Sequence, residues 1–181
     1  MDLRIYGDFN CPFSRLASRR AERLEAAGAA KVDWRAVEHD PAIPVPSEPV
    51  TGALAAALDG ELDQIRGLLR PGEDPALRTP PRRPNTKAAT AAYAACADDR
   101  RPGAREALFG ALWTDGLDIG DAGVLGGLGL TGSDPTLAAT WRAEWLALER
   151  PIVPVMVLPD GTVSRGLGAL RRLADLLDAG G

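Results

Sequence analysis

The stretch DFNCPFSRLA, residues 8–17, sets a cysteine and a proline where one hydrophobic pattern gives way to another. Before it, residues 2–6 (DLRIY) alternate polar and apolar side chains, the period of a half-buried strand. After it, Phe13, Leu16, Ala17, Ala21, Leu24 and Ala27 recur at three-and-four spacing. That spacing predicts a helix with one buried face, and Arg15, Arg19, Arg20 and Glu22 fall outside it. Gly28 ends the run, and residues 31–37 (KVDWRAV) alternate again with Val32 and Trp34 on one side. The unit is strand, helix, strand, expected to be parallel with a right-handed crossover.

Working outward, residues 40–50 (DPAIPVPSEPV) hold four prolines and predict an extended connector. From 51 to 149 the pattern is helical. Leu54, Leu58, Leu62, Ile65 and Leu69 make one stripe, and Ala89, Ala92, Tyr93 and Cys96 another. Leu108, Leu112 and Trp113 follow Pro102, and Leu137, Trp141, Trp145 and Leu148 follow the helix-opening sequence Ser133-Asp134-Pro135. Two β-rich runs in IVPVMVLPDGTVSRG (152–166) flank Pro159-Asp160-Gly161, a turn sequence, and predict a hairpin. Leu167, Leu170, Leu173, Ala174 and Leu177 predict a closing amphipathic helix. With 51–149 set aside, a four-stranded sheet with helices on its faces remains, the topology of the thioredoxin fold. The expectation is an α/β protein: one domain over residues 1–181, a thioredoxin core at 1–40 and 151–181, and a helical insert at 51–149.

Composition narrows the function classes. The chain has 181 residues, 45% of them hydrophobic, enough for one well-buried core. Its 21 Lys and Arg against 25 Asp and Glu give a net charge of −4 and no basic footprint for nucleic acid or anionic lipid. No signal-peptide pattern opens it and no run approaches the roughly 18 apolar residues of a membrane span, so a soluble cytoplasmic protein is expected. Cys11 and Cys96 lie far apart and suggest neither a disulfide framework nor a metal cluster. The oligomeric state stays open, a homodimer included.

Cys11 falls at the predicted N-terminus of a helix, where unpaired amides and the macrodipole favour an anion. A depressed thiol pKa and a nucleophilic role are expected there, with Pro12 in the first turn. Cys96 continues an Ala-rich helical stripe and is expected to be a packing residue. His39, the single histidine, shares a sheet edge with Cys11, but no third residue is evident to orient a Cys-His dyad. Arg78, Arg82, Arg83 and Asn85 lie in a Pro-rich loop and are candidates for carboxylate binding, Asn85 the best of them. GGLGLTG (126–132) lacks the features of a phosphate loop and reads as a helix end and turn.

The segment DFNCPFS resembles the active-site segment of the DsbA-like oxidoreductases, particularly the cytoplasmic FrnE-type branch, whose motif is usually Cys-Pro-aromatic-Cys. RPNTKAATAAYAACADD and ALFGALWTDGLDIGDAGVLGGL resemble that branch's helical insert, and IVPVMVLPDG resembles its cis-proline loop and hairpin. The resemblance implies that Cys11 is the nucleophile, that Val153 and a cis Pro154 present backbone to a substrate, and that Asn85 begins an insert helix beside the site. Pro44, Pro46 and Pro151 receive no such support for a cis bond. Ser14 stands at the resolving position, so no internal disulfide can form within the motif and an external thiol must release a mixed disulfide. Kappa-class glutathione transferases and 2-hydroxychromene-2-carboxylate isomerases, related in the same broad group, carry a serine where Cys11 falls and use a bound thiol.

The function expected is therefore monothiol oxidoreductase or thiol-transferase chemistry. Cys11 and Ser14 are the catalytic pair, and Pro12, Phe13, Asn85, Val153 and Pro154 line the substrate. No cofactor is bound tightly, no metal is used, and a low-molecular-weight thiol such as glutathione or mycothiol completes the cycle. The partners are a thiol or disulfide substrate or a small organic molecule, not nucleic acid or membrane. A thiol-dependent isomerase or transferase and a non-catalytic binding module are the alternatives.

Overall fold

The computed structural model describes residues 1–179. Alternation in the first segments becomes two parallel strands, β1 (Asp2–Gly7) and β2 (Lys31–Ala36), in register from Asp2 opposite Lys31 to Gly7 opposite Ala36. Between them runs α1 (Pro12–Ala26). Cys11 is extended at its N-cap, Pro12 occupies the first turn, where its missing N–H costs nothing, and Gly28 follows the end at a φ of +66°.

Two short strands, β3 (Glu48–Pro49) and β4 (Arg82–Arg83), form an antiparallel ribbon around α2 (Gly52–Arg66). Then come α3 (Lys87–Ala94), α4 (Arg101–Trp113), α5 (Ala122–Gly127) and α6 (Pro135–Leu146), the last N-capped by Asp134, whose carboxylate accepts the Leu137 amide at 2.8 Å. The hairpin β5 (Val155–Val157) and β6 (Val163–Arg165) leads into α7 (Leu167–Ala179). The main sheet has the order β2-β1-β5-β6, with β5 antiparallel to both its neighbours. This is the α/β thioredoxin topology, and it places the β1–α1 junction at the centre of the sheet's edge.

A continuous core holds Leu3, Ile5 and Trp34 from the sheet together with Leu16, Ala21 and Leu24 from α1. Phe9, Tyr93 and Phe109 add edge-to-face rings at centroid distances of 5.0 and 5.7 Å, and Phe109 meets Trp34 at 5.8 Å. On the other side Glu144 of α6 accepts from the Tyr6 hydroxyl at 3.1 Å and pairs with Arg35.

Several local expectations are corrected. Arg15 and Arg20 are buried rather than solvated. Arg15 binds Glu106 through both terminal nitrogens and the Pro75 carbonyl through Nε. Arg20 binds Glu73 twice and the carbonyls of Leu68 and Leu170. A three-and-four count sees these two residues as polar and cannot see that α2, α4 and α7 cover more than one face of α1. Ala27, expected on the buried face, is exposed because α1 has ended. In α2 only Leu62 and Ile65 of the predicted stripe are buried. The connector 40–50 is interrupted by β3, and Val45–Pro46, expected to be trans, is cis.

Candidate active site

The β1–α1 junction is a tight turn in which the Cys11 amide donates to the Asp8 carbonyl at 3.1 Å. Phe9 is fully buried, and its carbonyl accepts the Trp113 indole N–H at 2.8 Å, which fixes the turn to α4. The Asn10 side chain donates to the Pro84 carbonyl at 2.5 Å, tying the same turn to the segment before α3. Gly7 is required by close packing. A Cβ built there would lie 2.4 Å from Cζ2 of Trp34 and 3.2 Å from Oγ of Ser14.

Cys11 is partly exposed, and its thiol lies 3.9 Å from the Val153 carbonyl as a donor. The Val153–Pro154 peptide is cis, and Pro154 is buried at the entry to β5. Ser14 is fully buried. Its Oγ accepts the Asp8 amide at 3.3 Å. Pro12 is buried and Phe13 partly exposed beside the core.

The thiol's ionisation runs against the sequence expectation. Burial pushes the Cys11 thiol up to about 11, and the nearby Asp8 charge adds to the rise. The Ser14 hydroxyl and the amides of Ser14 and Phe13 pull the other way but are outweighed. A helix N-terminus favours a thiolate only where water or donors replace the lost hydration, and here desolvation is the larger effect.

Asp8, unremarked in the sequence, is 1% exposed. Its carboxylate accepts the amides of Asn10 at 3.0 Å and His39 at 2.9 Å, while burial pushes its pKa up. His39 Nδ1 is 3.9 Å from Asp8 Oδ2. The residue facing the His39 ring is thus Asp8, three positions before the cysteine, at a distance too long for a hydrogen bond, and no Cys-His dyad is formed among the hydrogen bonds of the site. The available signal was an acid directly after the strand's apolar end, Ile5-Tyr6-Gly7.

Asn85 is buried, donates to the Ile43 carbonyl at 2.9 Å and accepts the Lys87 amide at 2.9 Å, so both ends of its side chain hold the protein's own backbone. Arg82 is bound to Ser47, and Arg83 pairs with Glu48; Arg78 is exposed. Cys96 lies just beyond the end of α3 rather than within the helix, partly buried and packed against the core, with its thiol 3.5 Å from the Ala92 carbonyl. A cleft of about 710 Å³ opens at the opposite ends of β1 and β2, lined by Leu3, Arg4, Trp34, Arg101 and Pro159 among others, and Cys11 is not part of it. Among the described residues no cluster of three or more His, Cys, Asp or Glu is placed to hold a metal, and no helix is long and apolar enough to cross a membrane.

Fold and junction together define a thioredoxin-fold protein with a cysteine at the N-cap of its first helix and a cis-proline loop facing it. The chain belongs to the DSBA-like thioredoxin domain family, which its residues 2–132 match. No curated protein matches it in sequence. Among solved structures it is similar to a probable DsbA oxidoreductase from Streptomyces coelicolor, at 18% identity and a TM-score of 0.70, covering 99% of this chain and 89% of that one. A 2-hydroxychromene-2-carboxylate isomerase is similar at 21% identity and a TM-score of 0.61, covering 99% and 94%. The cytosolic disulfide reductase DsbM from Pseudomonas aeruginosa, solved with GSH, is similar at 16% and 0.61, covering 99% and 96%. At these identities the likeness is one of fold.

Proposed function

We propose that this protein catalyses thiol-disulfide exchange or thiol transfer through the single nucleophile Cys11, with an external low-molecular-weight thiol as co-substrate. The observation that carries the reading is the approach of Cys11 Sγ to the Val153 carbonyl, 3.9 Å apart across 142 residues of sequence. A sulfur beside a free backbone carbonyl and the strand that follows it can receive an extended substrate and attack its disulfide.

In the resting state the thiol is protonated against Val153. A substrate that pairs with the Val153 backbone takes that carbonyl away, and the Ser14 hydroxyl and helix amides then favour the thiolate. The thiolate attacks one sulfur of the substrate disulfide: the Cys11–substrate S–S bond forms, the original S–S bond breaks, and the leaving thiolate takes a proton. With serine at position 14, a second thiol from solution, of the glutathione or mycothiol class, attacks the mixed disulfide and restores Cys11. Domain roles follow the same reading: the core at 1–40 and 151–181 supplies nucleophile and rail, and the insert at 51–149 walls the site through Pro84–Thr86.

Mass spectrometry tests this. A glutathionylated cysteinyl peptide incubated with the protein is expected to leave an adduct on Cys11 that free glutathione removes catalytically. Exchange at an unchanged rate in Cys11→Ser would sink the reading.

A further inference from the structure

Three consecutive carbonyls carry the chain past Cys11. That of Val153 faces the thiol at 3.9 Å, and the carbonyls on either side of it are held by other groups. The Pro154 carbonyl accepts the Gly166 amide at 2.8 Å, just beyond the end of β6. The Ile152 carbonyl accepts the indole N–H of Trp145 at 2.9 Å, a bond that comes from α6 of the helical insert.

Little else fixes the Ile152 end. Glu149 and Arg150 are exposed, and the Ile152 side chain is 49% exposed. Arg150 has a φ of +56°, a left-handed conformation that is unfavourable for a residue with a Cβ and persists only where the surroundings hold it. The Ile152 amide turns back on the Arg150 carbonyl at 2.9 Å. Among the described residues, the Trp145 N–H makes the one side-chain hydrogen bond to residues 149–152. Trp145 is itself fixed: it is buried, and its ring meets that of His39 edge-on at 6.3 Å. The His39 amide donates to the Asp8 carboxylate at 2.9 Å, and the Asp8 carbonyl accepts the Cys11 amide at 3.1 Å. The contacts close a ring that runs from Cys11 through Asp8, His39, Trp145 and Ile152, and returns through Val153 to the sulfur.

We infer that Trp145 is a positioning residue for the exchange at Cys11: through its hydrogen bond to Ile152 it sets the orientation of the Val153 peptide along which an extended disulfide substrate lies. The inference rests on the proposed function. Trp145 touches neither reacting sulfur, its N–H stays on the ring throughout, and the bonds made and broken in the exchange are those already given. A phenylalanine at 145 would cover much of the same core surface, but it would leave the Ile152 carbonyl without its donor and the rail free to turn.

Two disulfides separate positioning from packing. A glutathionylated cysteinyl peptide can pair its backbone with Val153, whereas bis(2-hydroxyethyl) disulfide has no backbone to pair. Trp145→Phe keeps an aromatic ring and removes the donor. Its ratio of kcat/KM for the peptide to kcat/KM for the small disulfide is expected to fall roughly three- to tenfold below the native ratio, the worth of about one hydrogen bond, with the loss appearing in KM. Trp141→Phe, on the same helix, removes an indole that meets Tyr93 and the Arg101 guanidinium instead, and should keep the native ratio. An unchanged ratio in Trp145→Phe, or an equal fall in Trp141→Phe, overturns the inference. Native protein supplies a second readout that needs no variant. The Trp145 indole N–H signal, assigned in NMR spectra by its proximity to Ile152, should shift when a non-reducible thioether analogue of the peptide binds; a signal that stays in place at saturation also overturns the inference. Native protein that exchanges neither disulfide refutes the proposed function, while native exchange of both with no change of ratio in Trp145→Phe refutes the inference alone.

Discussion

Cys11 in the resting protein should behave as a sluggish thiol. With its pKa pushed up to about 11 by burial and by Asp8, against about 8.5 for an unperturbed cysteine, the thiolate population at pH 7.4 falls roughly 300-fold. The more basic thiolate is also the better nucleophile, with a Brønsted coefficient of about 0.45, and this returns roughly tenfold. Alkylation by iodoacetamide at pH 7.4 should therefore be about 20- to 30-fold slower than for a free cysteine peptide, and should climb without a plateau until pH about 10. Ser14→Ala removes a hydroxyl that lowers the thiol's pKa and should slow it further. The assay is the pH–rate profile of Cys96→Ser protein, read by intact mass. A plateau at or below pH 8.5 would refute the reasoning, since it would mean that the helix terminus outweighs desolvation.

Ser14→Cys places a second sulfur one helical turn from Cys11 at a fully buried position; mild oxidation should form a reversible internal disulfide, seen as a loss of two thiols by Ellman titration without loss of folded signal. Gly7→Ala should cost about 1–3 kcal/mol in urea unfolding, because the added carbon meets the rigid Trp34 ring at 2.4 Å. Arg20→Leu leaves the 5% exposed Glu73 carboxylate with only the Arg70 amide and Arg23 at 3.7 Å and should cost about 3 kcal/mol, with Arg20→Leu/Glu73→Leu recovering much of it. Burial raises the Glu73 pKa, but hydrogen bonds from Arg20 and the Arg70 amide outweigh it and hold the carboxyl below its usual range. The pair's stabilisation is thus present above the unfolded-state pKa and lost as pH falls through the folded one, and Arg20→Leu should flatten that acid-side loss.

Strand-helix-strand and hairpin-helix were legible because each has a clear period and a punctuating residue: Gly28 after α1, Pro159-Asp160-Gly161 between β5 and β6, Asp134-Pro135 before α6. What escaped was decided by tertiary cover. Arg15 and Arg20 have the polarity of surface residues and become interior because Glu106 and Glu73 arrive from distant segments with matching charge. The β3–β4 ribbon pairs Glu48 with Arg83 and Pro49 with Arg82, with two residues in each strand, too few for any alternation to register.

At the site the cysteine and the proline loop were recognisable, while their electrostatics were not, because two influences at one helix terminus have opposite signs and their balance depends on packing. The amides of Phe13 and Ser14 are fixed by the helix, so their pull toward the thiolate is constant. The desolvation that opposes it comes from neighbours contributed by distant stretches of chain, among them the Val153 loop. Of the two, only the second can be altered by a substrate. A ligand laid along Val153 removes the thiol's acceptor and leaves the helix amides and Ser14 as the sulfur's remaining polar partners. On the proposed function, Cys11 should therefore alkylate slowly in the free protein and react with a disulfide that lies along Val153, which joins the slow-thiol prediction to the exchange reading.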